Sequence, residues 1–236
     1  MARCFGGAQN RVTSLPSPGR AADRLLVVVG LRREAAIAAG RGNRVLTGTD
    51  GLGEALASAG AVISFGLCGA LASELRVGDL VIGAGGTCDG AWSEGLAARL
   101  PGARRGRIAG VDRPSATVAE KARLRAASGA IAVDMESHRV AAAARAVGLP
   151  YAILRAVSDG ADRELPRAAT AGFAKNGRPN LRAVLLALAR RPWELPALIG
   201  TARDAGIAFA ALRDARDLLG PGLGCPYLVQ HSIDVV

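Results

Sequence analysis

Short apolar runs recur along the chain, and several are followed by stretches whose apolar positions fall at helical spacing. Leu25–Val29, Ala61–Phe65, Asp79–Gly83, Arg107–Gly110, Ala130–Val133 and Tyr151–Val157 are short, rich in β-branched residues and bounded by glycine or polar residues. They predict buried strands. Glu136–Val147 has helical periodicity, with Gly148 as a stop and Pro150 beyond it, and Ser115–Ala127 is a second helix after Pro114. Strand, helix, strand in this order predicts a largely parallel sheet with helices on both faces. After Pro166 the strand pattern ends. Helices are expected near Asn180–Arg190 and over Thr201–Leu219, the latter opened by Thr201 and Asp204 in a capping-box-like start.

The expected fold class is therefore α/β, a single-domain three-layer αβα sandwich around a central, mostly parallel twisted sheet, with extra C-terminal helices. Residues 1–23, rich in Gly, Pro, Ser and Arg, read as a flexible extension. The folded domain is expected over 24–219 and a loose tail over 220–236.

Composition narrows the partners. Half of the 236 residues are hydrophobic and 3% are aromatic, which suits closely packed layers. No apolar run approaches the roughly 20 residues of a membrane span, and the first residues lack a secretory core, so a cytoplasmic location is expected. The net charge is +10, almost all of it arginine, since only Lys121 and Lys175 are lysines. The arginines are scattered and not interleaved with aromatics, which argues against a nucleic-acid groove. Attraction to an anionic membrane surface, including peripheral contact with the inner membrane, stays open. Cys4, Cys68, Cys88 and Cys225 form no paired spacing with each other or with the two histidines. Free thiols are expected, with neither a zinc site nor a disulfide framework.

Four segments carry candidate chemistry. Ser64–Leu71 follows a strand, and its Gly66 and Gly69 let backbone amides approach a ligand or serve a tight strand-to-helix turn. Asp134-Met135-Glu136 stands at a strand end feeding a helix, where a carboxylate accepts sugar hydroxyls or complements the helix dipole. Ser158-Asp159 ends the next strand, either as an Asx turn or with Ser158 orienting Asp159. Glu34, after the first strand, either activates water or opens a helix.

Together, VISFGLCGAL, VGDLVIG, AIAVDMES and ILRAVSDGAD, in this order and separation, resemble the nucleoside phosphorylase and nucleosidase superfamily. That superfamily includes purine nucleoside phosphorylases and methylthioadenosine nucleosidases. The DMESH run and ARRPWELPALIGTARDA are most similar to its hopanoid-biosynthesis-associated branch. The resemblance implies a nucleoside phosphorylase-like fold and cleavage of an adenine nucleoside. The expected substrate is adenosylhopane, giving adenine and ribosylhopane or its phosphate. The alternatives are a methylthioadenosine or adenosylhomocysteine nucleosidase, or a non-enzymatic nucleoside-binding protein.

It also implies roles. Asp159 protonates the leaving base, helped by a dry site. Glu136 grips the sugar hydroxyls and Met135 packs on the sugar. Glu34 activates water. Ser64 and Leu67 stand where phosphorylases carry an Arg and a Ser or Thr for phosphate, which favours water, although Arg32 and Arg33 keep phosphate open as a co-substrate. No other cofactor is expected. The partners are a small nucleoside, a membrane-associated triterpenoid as its bulky form, and a second copy of the chain in a homo-oligomer. Trp92, Trp193, Leu195 and Leu198 are candidates for an apolar mouth, with packing as their commoner fate. His138 is left outside the catalytic set.

Overall fold

The computed structural model describes residues 24–171 and 181–228. Cys4, Lys175 and the expected N-terminal extension lie outside them, as do Asn180 and residues 229–236 of the expected tail.

The strands are β1 (Leu25–Val29), β2 (Asn43–Thr47), β3 (Ala61–Ala70), β4 (Leu80–Gly83), β5 (Arg104–Gly106), β6 (Ile108–Gly110), β7 (Ala132–Asp134) and β8 (Tyr151–Asp159). The helices are α1 (Arg32–Ala38), α2 (Leu52–Ala57), α3 (Gly90–Arg99), α4 (Val118–Ser128), α5 (Ser137–Val147), α6 (Arg167–Ala171), α7 (Leu181–Arg190) and α8 (Leu195–Leu219). The strand order is β2-β1-β3-β8-β4-β5, and β7 joins the end of β3 with β6 beside it. Five of the pairings are parallel: β1 with β2, β1 with β3, β3 with β8, β4 with β5, and β6 with β7. The pairs β4·β8 and β3·β7 are antiparallel. The expected mostly parallel α/β sandwich is what the chain forms.

Alternation along β1 shows the layers. Leu25, Val27 and Val29 pack with Trp92 and Leu96 of α3 and with Phe209 and Leu212 of α8. Leu26 and Val28 face the other way, against Leu52 and Leu56 of α2 and Val140 and Ala144 of α5. A strand buried on both faces reads as a continuous apolar run, which is why β1 was legible.

The structure redraws several expected boundaries. Gly66 and Gly69 lie inside β3 and not in a loop opening a helix. α8 starts at Leu195 after a 3-10 turn at Pro192–Glu194, and Thr201 lies inside it, bonding back to the Ala197 carbonyl at 2.9 Å. With that turn, α8 is long and apolar enough to cross a membrane by length and composition alone, but Ala208, Phe209, Leu212 and Ala215 seat its second half on the core. Trp92 is core too, its Nε1 donating to the Leu223 carbonyl at 3.2 Å. Residues 221–228 pack on the domain: Leu223 is buried and the Tyr227 hydroxyl donates to Asp89 at 2.8 Å.

Candidate active site

The carboxyl ends of β1, β7 and β8 and the far half of β3 enclose a cavity of about 240 Å³. Glu34, Met135, Glu136, Ser158, Asp159 and Gly69 all line it. Gly66 does not; it sits behind Glu34, in the wall.

Glu34 comes from the first turn of α1 and is 2% exposed. Its Oε2 accepts from the backbone N–H of Gly30 at 2.8 Å and Leu31 at 2.7 Å. Its Oε1 accepts from the Leu67 N–H of β3 at 2.8 Å. Burial pushes its carboxyl up to about 7, against the pull of Arg155 and the Leu67 N–H. Such a carboxylate is matched to proton abstraction near neutral pH. Gly66 is glycine because of this group: a Cβ there would lie 2.5 Å from Glu34 Oε1 and 2.7 Å from Arg155 Nη1.

Arg155 organises this end of the cavity. It is fully buried in the middle of β8. Its Nη2 donates to Ser64 Oγ at 2.6 Å, pairs with Asp134 and lies 3.5 Å from Glu136 Oε2. Burial opposes its charge, yet Asp134, Glu136 and Glu34 hold it firmly protonated. Asp134 is fixed by the Ser137 hydroxyl at 2.5 Å. Glu136 is the residue that opens α5, with its carboxyl against Gly30, where a Cβ would come within 2.6 Å of Oε1. Burial raises the Glu136 carboxyl. A buried cation beside three acids leaves this end acidic.

Asp159 stands at the other end. β8 carries a bulge here: Cys68 pairs with Val157 and Gly69 with Asp159, leaving Ser158 as the extra residue. A bulge changes the phase of a strand and re-aims the next side chain. Asp159 thereby faces Gly69, where a Cβ would lie 2.9 Å from Oδ2. The Ser158 hydroxyl donates to Asp159 Oδ1 at 2.8 Å and lies 3.1 Å from the Cys68 carbonyl.

Asp159 was expected in a dry, apolar surround. Instead the Lys121 ammonium of α4 donates to its Oδ2 at 2.6 Å, and both groups are buried. Lys121 and Arg155 are the site residues that pattern reading missed. In the sequence, Lys121 stands out only as one of two lysines in an arginine-rich chain, and Arg155 as an arginine inside an apolar strand.

Arg32 and Arg33 do not join the site. Both are exposed, and Arg33 lies over the Phe209 ring at 4.4 Å. Ser64 is turned to Arg155, and the Leu67 N–H to Glu34. Trp193 and Leu195 are exposed outside the cavity, at 69% and 48%. His138 is held outside it too, with Nε2 3.2 Å from Asp112.

A family model described as the Phosphorylase superfamily matches residues 87–190, the segment that holds Lys121, Glu136 and Asp159. Solved structures match over nearly their whole length. The S-adenosylhomocysteine nucleosidase of Streptococcus pyogenes, in complex with 5-methylthiotubericidin, is 18% identical with a TM-score of 0.52, over 82% of this chain and 97% of its own. The fold is the nucleosidase fold. The 5′-methylthioadenosine/S-adenosylhomocysteine nucleosidase of Helicobacter pylori, with butyl-thio-DADMe-Immucillin-A, is 16% identical with a TM-score of 0.55, over 83% and 98%. A futalosine hydrolase mutant from the same organism is 16% identical with a TM-score of 0.51, over 71% and 99%. No curated protein matches. Identities this low speak for the nucleosidase fold and leave the chemistry to the site's own residues.

Proposed function

We propose that the chain is an enzyme that cleaves the N-glycosidic bond of an adenine nucleoside by hydrolysis. The observation that carries this is one cavity with two differently equipped ends: a buried Glu34 tuned to about 7 and an Asp159 backed by a cation. Cleavage asks for both a base that activates a nucleophile and a group that eases departure of the purine.

Glu34 takes the proton of a water that attacks the sugar carbon. Glu136 accepts the ribose hydroxyls, and Met135 packs on the ribose ring. Ser158 orients Asp159 at the base, where Asp159 serves N7 and the exocyclic amine. Glu34, Asp134 and Glu136 around Arg155 favour water over phosphate, because a phosphate dianion entering there meets surplus negative charge.

For the substituent on the 5′ carbon we propose a bulky apolar group, with adenosylhopane as the substrate. Val111, Pro114, Leu165, Ala169 and Phe209 give the cavity a mainly apolar wall. Leu185, Leu186, Trp193 and Ile199 are exposed on the nearby helices, accompanied by Arg182 and Arg190. Apolar side chains with arginine beside them suit contact with a membrane that carries such a substrate. A homo-oligomer covering part of this face belongs to the same reading. The nucleosidases of S. pyogenes and H. pylori support methylthioadenosine or adenosylhomocysteine as the second reading.

The test is a panel of 5′-substituted adenosines, with and without phosphate, read by adenine release and by the mass of the sugar product. Free ribosyl sugar at equal rates in both buffers is expected, with the highest kcat/KM for the most apolar substituent. A phosphorylated sugar would overturn hydrolysis. Binding of adenosine without release would make the chain a nucleoside-binding protein.

A further inference from the structure

Lys121 projects from the first turn of α4 and is 1% exposed. Its Nζ donates to three acceptors: Asp159 Oδ2 at 2.6 Å, the Gly160 carbonyl at 2.7 Å and the Arg163 carbonyl at 2.9 Å. An ammonium has one hydrogen for each of these three oxygens, and the two carbonyls can only accept. An Asp159 that faces an ammonium has beside it a proton source on which a departing purine can draw.

Beyond the Ser158 hydroxyl on Asp159, the titratable neighbours are neutral or paired elsewhere. The buried Cys68 thiol of β3 is pushed up by burial and stays neutral. Arg163, in the turn after β8, is drawn to Asp204 of α8. On α4, Glu120 caps the helix and Arg125 lies 3.6 Å from Glu74. Glu34, Asp134 and Glu136 are grouped around Arg155.

Resting on the reaction proposed above, we infer that Lys121 is the proton reservoir for base departure, acting through Asp159 as a relay. Lys121 is thus a positioning residue that does not touch the base. As the C1′–N9 bond breaks, its electron pair stays on the purine. The growing negative charge draws a proton through the pair: a Lys121 N–H bond breaks, its hydrogen goes to Asp159, and Asp159 passes a proton to N7. Lys121 is left as a neutral amine, Asp159 as a carboxylate and the base neutral. The attacking water gives its proton to Glu34 while its oxygen bonds to C1′. One proton is gained at Glu34 and one lost at Lys121, and exchange with solvent resets both.

The experiment measures single-turnover adenine release between about pH 6 and 9 for wild type, Lys121→Arg and Lys121→Met. Each protein is first checked for cooperative thermal unfolding and adenine binding. Arginine keeps the charge but does not give up a proton. Lys121→Arg is expected to lose about a hundredfold in rate or more at every pH while still binding adenine. In Lys121→Met the buried Asp159 lacks its counter-ion and keeps a proton of its own at acid pH. Its rate relative to wild type is expected to fall as pH rises, by up to about tenfold per unit. If Lys121→Met does not fold, Lys121→Gln takes its place with the same expected slope. Wild-type rates in Lys121→Arg, or a Met-to-wild-type ratio that stays level with pH, overturns the relay alone. Absence of release by wild type from every nucleoside overturns the enzymatic reading and the relay with it.

Discussion

Glu34 answers to opposing forces. Burial pushes its carboxyl up to about 7, while Arg155 and the N–H groups of Leu67 and Leu31 pull it back. The rate of base release is therefore expected to rise with pH through about 7, as Glu34 becomes the base. In Glu34→Gln that limb disappears and turnover falls by about a hundredfold or more. Stability moves the opposite way. The folded chain holds this proton more tightly than the unfolded chain, whose carboxyl titrates near 4.5. Stability present below pH 4.5 is lost as pH climbs to about 7, on the order of 3 kcal/mol for this group. Urea unfolding from pH 4.5 to 7.5 is expected to show that decline in wild type and a flatter line in Glu34→Gln. Asp159→Asn keeps the shape of the side chain but breaks the carboxylate's pairing with Lys121, and a loss of about a hundredfold or more in adenine release is expected. Glu136 and Asp159 were legible because they follow strands, where the crevice of a parallel sheet lies, and because AIAVDMES and ILRAVSDGAD resemble family motifs; strand ends alone left a helix start and an Asx turn open. Lys121 was not, because a lysine on a helix ordinarily faces water, and only the turn at Gly160–Arg163 closing over it makes a buried cage.

Elements differ in how openly the chain announces them. β1 and β8 are apolar on both faces and stand out at once. β2 carries Arg44 on an edge and β5 is Arg104-Arg105-Gly106, so neither shows an apolar pattern. β3 was expected to stop at Phe65, because glycines usually interrupt strands. It continues to Ala70 because Gly66 and Gly69 make room for Glu34, Arg155 and Asp159. The start of α4 matters for placing Lys121. Thr117 accepts from the Glu120 N–H at 3.2 Å, and Glu120 accepts from Ala116 and Thr117. Thr117→Ala is expected to cost about 1 kcal/mol in denaturant unfolding. The remaining Glu120 contacts hold the first turn, so adenine release persists.

At the scale of the molecule, the two sheet faces and their helix layers follow from alternation, but the buried charge does not. Arg155 sits inside a core that would otherwise be apolar, and it neutralises acids from α1, β7 and the start of α5. Arg155→Met leaves those acids without a cation, which costs on the order of 4 kcal/mol and lowers Tm by about 10 °C. Differential scanning calorimetry reads that loss directly, and Ser64→Ala, which removes a hydrogen-bond partner of the guanidinium, is expected to lower Tm by less. The fold thus depends on the same residue that gathers Glu34, Asp134 and Glu136 at one end of the cavity.

β3 has one more consequence. Leu67 fixes Glu34 and Gly69 faces Asp159, two positions apart on one strand, or roughly 7 Å. The strand is therefore a rigid gauge, and the interval between the points where Glu34 and Asp159 rest on it is set by covalent backbone. Val111, Pro114 and Leu165 line the cavity from loops off that strand. Recutting them for a different guest would leave the interval behind them the same.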